Sequence, residues 1–170
     1  MDSLTHIALG AAIGEVTLGK KIGNKAIIYG AIIGSIPDFD VVLTPLIEPT
    51  KALLFHRGIS HSILVALLLV PLIAYALSKI EKTKNVNVKN WVIFTTLTYS
   101  SHIFIDCFNT YGTGIFEPFS NYRVAYDSMA IIDIFFLLPL LIIFVTSALT
   151  TSTQILKVLK TKAIDTLRYE

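Results

Sequence analysis

Apolar residues in this chain come in long runs, not in the strict alternation of a strand. Ser3–Gly14 is interrupted only by His6, and Ala26–Pro37 and Val41–Ile47 follow. Ser62–Ser78 is 17 residues without a charge, Trp91–Ile105 is 15, and Ile134–Leu156 is 23. A helix needs about 20 mostly apolar residues to cross a bilayer. The last run meets that length, the two before it come close, and the first two are short. The pattern predicts an all-α, multi-pass transmembrane bundle of about five segments, the first only partly embedded. Asn90 is expected to cap the fourth segment and Ser60 the third. Pro71 and Pro139 should kink their helices or be accommodated by neighbours. Gly10/Gly14 and Gly30/Gly34 have the spacing that lets two helices approach closely.

Composition changes the expected solvent. Of the 170 residues 54% are hydrophobic and 15% charged, and the mean hydropathy is +0.69. Soluble domains carry about 25% charged residues, so a bilayer is the expected surroundings. A net charge of +2 is too small for a nucleic-acid binder. The single cysteine, Cys107, excludes an intrachain disulfide and a cysteine zinc cluster. Met1–Asp2 lacks a basic n-region, so the first apolar run is expected to stay in the mature protein. Eleven of the 14 Lys and Arg follow the first, third and last runs. With five segments those clusters share one side, which the positive-inside rule makes cytoplasmic. The chain then divides into a membrane-embedded domain, 1–156, and a basic cytoplasmic tail, 157–170. The loops at 48–61 and 109–130 face outward.

Against this background the polar residues stand out. All four histidines, His6, His56, His61 and His102, lie in or beside apolar runs. Ionisable groups at membrane depth are costly and point to function. The topology brings them, with Asp38, Asp40 and Asp106, to the outer face. His102 and Asp106 are i,i+4 on one helix face, a spacing for two ligands of one ion or for a ligand and its orienter. Helix-to-helix hydrogen bonding is the alternative for that pair. In SIPDFD, Asp38 and Asp40 would diverge on a regular helix but could share a cavity on an irregular turn, and Asp38 could instead be a helix cap. In HRGISHS, Gly58 allows a turn and Arg57 suits an anion, or a lipid headgroup. Asp133 could add a ligand or orient a histidine, while Asp127 suits a loop or cap. Tyr99, Asn109, Thr110, Tyr111 and Glu117 are near enough to line a pocket without being singled out. A donor set of imidazoles and carboxylates without thiolate suits zinc, manganese or iron, as one or more ions. There is no P-loop, GxGxxG or serine elbow.

The segments DSLTHIALGAAIGE, GSIPDFD, HRGISHS, HIFIDCFNTYGT and YDSMAIIDIFF resemble the membrane-bound metal-dependent hydrolase family, also described as LexA-binding and inner-membrane-associated. The likeness covers about Met1 to Phe136, and its most specific part is HRGxSHS between PDxD and HxxxD. It implies a multi-pass protein of the inner (cytoplasmic) membrane, similar to zinc-dependent phospholipase C-like enzymes. It implies His6, Asp38, Asp40, His56, His61, His102 and Asp106 as metal ligands, with Asp133 as a further candidate. Arg57 would hold an anionic substrate, and Asp40 and His61 complete the catalytic set. LexA binding is not carried over.

Three functions follow as expectations. One is hydrolysis of a phosphoester, on a lipid or lipid-linked substrate, by a metal-activated water at the extracytoplasmic face. Another is an ion or proton relay, which needs ionisable groups in both membrane halves. The last is a scaffold whose polar groups only join helices. Partners are the bilayer and an anionic lipid or phosphoester, not nucleic acid.

Overall fold

A computed structural model describes residues 2–81, 86–130 and 133–168. Its elements among the described residues are all helical: α1 (Ser3–Gly14), a π-helical turn (Glu15–Gly19), α2 (Lys20–Ile22), α3 (Lys25–Ser35), a 3-10 helix (Pro37–Leu46), α4 (Pro49–Phe55), a 3-10 turn (Ile59–His61), α5 (Ile63–Ile80), α6 (Val88–Asp106) and α7 (Ile134–Arg168). Each of the five expected segments is a helix. Caps differ from expectation. The side chain of Ser62, not Ser60, accepts from Val65 N at the start of α5. Asn87, not Asn90, accepts from Asn90 N at the start of α6. Ser62 is the residue directly before α5, and Asn87 directly before α6, so each sits at the true helix boundary. α7 continues through the boundary proposed at 156.

Two helices, Ile63–Ile80 and the Ile134–Thr161 part of α7, are long and apolar enough to cross a bilayer, or three if the bent pair Lys25–Ser35 and Pro37–Leu46 is one broken span. α1 runs on without a break through the π-helical turn and α2 to Ile22, but Glu15, Lys20 and Lys21 interrupt the apolar character of that continuous helix. α6 is long enough, but Thr95, Thr98, His102 and Asp106 point inward from it. The protein is inside-out relative to a soluble domain. Leu67, Leu68, Leu72 and Phe135 are exposed, while Thr5, His6, His61, His102 and Asp106 are buried.

The closest helix contact is between α1 and α3. A methyl group added at Gly10 would collide with the Gly30 carbonyl, one at Gly30 with the Gly10 carbonyl, and one at Gly14 with that of Ala26. The small-residue spacing therefore serves packing. Behind it, Leu18, Ala26, Ile33, Ala74, Leu77, Trp91 and Phe94 form the apolar core. Lys25 Nζ and Tyr29 Oη meet Glu81 at 2.9 and 3.0 Å and tie α3 to the end of α5. The loop after α6 folds back over the outer end, with paired hydrogen bonds between Thr113 and Val124.

Overfilling a packed interface costs about 1–3 kcal/mol. Gly10→Val should therefore lower the melting midpoint in detergent, whereas Val16→Ala at an exposed position should not. Equal midpoints for the two would contradict the close α1–α3 contact.

Candidate metal centre

Four separate segments converge at the end of the bundle where α6 finishes. α1 delivers His6, the 3-10 helix after α3 delivers Asp38, the turn before α5 delivers His61, and the last turns of α6 deliver His102 and Asp106. All are buried or nearly so. The glycine contact between α1 and α3 makes this convergence possible: it brings His6 onto His102, with ring centroids 3.6 Å apart, and brings the Gly34 carbonyl to His102 Nδ1.

Hydrogen bonds to the outer nitrogens orient two of the rings. His102 Nδ1 donates to the Gly34 carbonyl at 2.6 Å. Ser60 Oγ donates to Asp40 Oδ2 at 2.6 Å, so it accepts from His61 Nδ1 at 2.9 Å. Each neutral imidazole then keeps its lone pair on Nε2, and the two Nε2 atoms face each other at 3.0 Å. Two lone pairs at that distance repel unless a cation, a proton or a metal ion, lies between them. The electrostatics agree for His61. Burial opposes its charged form, yet the Asp106 and Asp38 carboxylates carry its pKa above the ordinary histidine value.

The four nitrogen–oxygen distances suit an ion, while the 3.0 Å between the two Nε2 atoms is shorter than an edge of a zinc tetrahedron and suits a shared proton. Asp38, His61, His102 and Asp106 each offer one donor atom, all within 4.8 Å of one another. Asp38 Oδ1 lies 3.6 Å from His61 Nε2 and 3.4 Å from His102 Nε2. Asp106 Oδ2 lies 3.3 and 3.6 Å from the same two nitrogens. A tetrahedron with ligands at about 2.0–2.2 Å has edges of roughly 3.3–3.6 Å. Asp38 Oδ1 is buried without a well-formed hydrogen bond. The cluster thus has the donor types and spacing to hold a divalent metal.

The remaining candidates occupy different positions. His6 Nε2 is 3.2 Å from Asp106 Oδ1, on the far oxygen of that carboxylate. His56 Nδ1 bonds Asp40 Oδ1 at 2.7 Å, and its Nε2 approaches Asp38 Oδ1 at 3.8 Å. Asp40 stands one step back from the four donors. Its two oxygens engage His56 and Ser60, so it orients His56 directly and His61 through the serine. Asp38 and Asp40 diverge because Pro37–Leu46 is helical. Asp133 does not join the cluster; its Oδ1 accepts from Phe136 N at 3.1 Å at the entry to α7. Asp127 is a loop residue with φ 49°.

Arg57 is buried, with Nε 3.5 Å from Asp106 Oδ2. The positive φ of this turn falls on Arg57 at 67° rather than on Gly58, a conformation costing about 1–2 kcal/mol for a residue with a Cβ. The outer loop holds it there. Gly114 N donates to the Arg57 carbonyl at 2.8 Å. Arg123 donates to the carbonyls of Arg57 and Gly112 at 3.2 and 3.1 Å, and to that of Leu54 at 3.1 Å. Sequence reasoning missed this role of Arg123, for which the only signal was an isolated cation on an outer loop. It also missed the relay through Ser60.

Outer-shell partners of metal-binding histidines are typically worth about 10–100-fold in affinity. Asp40→Ala should weaken zinc binding by that order, measured by competition with a chromogenic chelator, while the protein keeps its helical content. Unchanged affinity would show that Asp40 does not orient the histidines.

Residues 1–164 match the YdjM inner membrane protein family. The chain is also similar to the uncharacterized protein YfhP of Bacillus subtilis (strain 168), 33% identical over 135 residues. That alignment covers 74% of this chain and 39% of the relative, so the chain spans well under half the length of the curated relative it matches. No solved structure matches. With nearly its whole length matched, this chain, a membrane protein built around a buried His/Asp cluster, belongs to the YdjM inner membrane protein family.

Proposed function

We propose that this protein is a membrane-bound metal-dependent hydrolase that cleaves phosphoesters, with its site toward the extracytoplasmic face. The observation that carries the reading is the set of donor distances around His61 and His102, 3.3–3.6 Å to two carboxylates, which fits a tetrahedral ion. Asp38, His61, His102 and Asp106 would hold that ion. Bound metal supplies Lewis acidity and a water activated at neutral pH.

In the reaction, the oxygen of water bonds to phosphorus, the ester P–O bond breaks, and a proton from the water ends on the leaving alkoxide. The chain's own part is positional and electrostatic. Arg57, presented next to Asp106, adds positive charge where the phosphoryl oxygens gather charge. Asp40 and Ser60 keep His61 in one tautomer throughout. Asp40 is therefore assigned a positioning role in preference to proton transfer.

One observation favours an ion or proton relay instead. Glu15 is buried in the π-helical turn beyond α1, away from the cluster, and π-turns often mark functional positions. A liposome flux that depends on Glu15 and His61 would favour transport.

Protein purified from metal-supplied cells should carry at least one ion per chain by elemental analysis. His61→Ala and Asp106→Ala should lose the ion and lower hydrolysis of bis(p-nitrophenyl) phosphate by about 100-fold or more, roughly 2.7 kcal/mol of barrier. Metal-free wild-type protein, or variants that hydrolyse like wild type, would contradict the proposal.

A further inference from the structure

An apolar groove of about 580 Å³ runs between α5 and α6. Ala66, Val70 and Pro71 form one wall, and Thr96, Ser100 and Ile103 the other. Ile63, Cys107 and Ile115 surround its outer end. That end adjoins the metal cluster through the chain itself: Ile103 follows His102, Cys107 follows Asp106, and Ile63 lies two residues beyond His61. Ile63 N also donates to the Ile115 carbonyl at 3.0 Å, joining α5 to the loop that holds Arg57.

The depth of the groove suits a lipid chain. From Ile63 to Pro71 and from Thr96 to Cys107 the helices advance about 12–16 Å at 1.5 Å per residue. One leaflet of hydrocarbon is about 15 Å, half of a 30 Å core. A second apolar cavity, of about 360 Å³, shares Ile63, Leu67 and Ile115 and lies beside Phe119. Phe119, Tyr122 and Tyr126 are exposed on the same outer loop, and aromatic residues favour the headgroup level. With those aromatic residues at the headgroup level, the cluster and Arg57 would lie at the height of a phosphate and the groove at the height of an acyl chain.

We infer that the α5–α6 groove is an acyl-chain subsite and that the substrate is a lipid phosphoester of the outer leaflet, its phosphate on the His/Asp cluster and its chain between the two helices. The inference rests on the hydrolase reading for the reaction and on the groove for the lipid. A lipid that merely coats the protein would have no preference for this face, and a water-soluble phosphoester would leave the groove unused.

The test is photo-crosslinking of the full chain in phosphatidylethanolamine–phosphatidylglycerol vesicles, using a phosphatidylglycerol with a diazirine in its acyl chain. Crosslinks should concentrate on α5 and α6 lining residues and fall about tenfold in Thr96→Trp and in Ser100→Trp. Both positions are exposed in the groove, so the indole fills it without disturbing the core. Unlabelled phosphatidylglycerol should compete at least about tenfold better than diacylglycerol of the same chains. Labelling spread evenly over α5, α6 and α7, labelling unchanged by both variants, or equal competition by diacylglycerol would overturn the subsite. Hydrolysis of bis(p-nitrophenyl) phosphate by the wild-type protein is measured in parallel. If wild-type protein lacks that hydrolysis while the crosslinking pattern holds, the hydrolase reading fails and the lipid subsite stands.

Discussion

Asp106 and Asp38 place negative charge where the bilayer and the packed helices leave little water. Asp106 is fully buried and Asp38 nearly so. An isolated ionised carboxylate in such surroundings costs several kcal/mol even after relaxation. The compensating groups are three imidazoles at 3.2–3.6 Å and the Arg57 guanidinium. Three imidazoles, with His61 drawn toward its charged form by the carboxylates, are partial compensation for two carboxylates. A divalent cation between the four donors would discharge both carboxylates and remove the repulsion between the facing nitrogens. The rest of the molecule is arranged so that those donors already point inward.

That arrangement depends on backbone contacts as much as on the ligands. Two glycine pairs let α1 and α3 touch, which puts His6 over His102 and the Gly34 carbonyl against its Nδ1. Pro37 begins the 3-10 helix whose turn separates Asp38, aimed at the ion position, from Asp40, aimed at the ligands' outer nitrogens. The outer loop is the third support. Through Gly114 and Arg123 it fixes the strained Arg57 conformation, so a segment with no proposed ligand sets the position of the nearest cation. Apolar residues face outward over most of α5 and α7, and the polar residues are saved for this interior.

Most of the helices were legible from the runs of apolar residues, because a lipid-facing helix shows its nature without periodicity. The convergence of Asp38, His61, His102 and Asp106 was expected too, but from a count of five crossing segments, of which two helices, or three with the bent pair, are long and apolar enough to cross a bilayer. The limits lay where tertiary contacts decide. Ser60 and Asn90 look like caps from their place beside apolar runs, but Ser62 and Asn87 sit at the true helix starts. Asp133 lies just inside an apolar boundary like a ligand would, and is instead taken up in capping α7. Asp40 has the chemistry of a ligand, and only the positions of His56 and Ser60 show it facing outward from the ion position. Arg123 acts through carbonyls about 70 residues away in the chain, a partnership that no local pattern encodes.

The central claim is that a metal ion belongs between two imidazoles and two carboxylates. X-ray absorption at the zinc edge on metal-loaded, full-length protein reads this directly. It should show a shell of nitrogen and oxygen at about 2.0–2.1 Å with outer scattering from imidazole rings, lost in Asp106→Ala. Protein that retains no metal would contradict the account. So would a sulfur shell near 2.3 Å, which in this chain would point to the cysteine at position 107 or a methionine instead of the histidine–aspartate cluster.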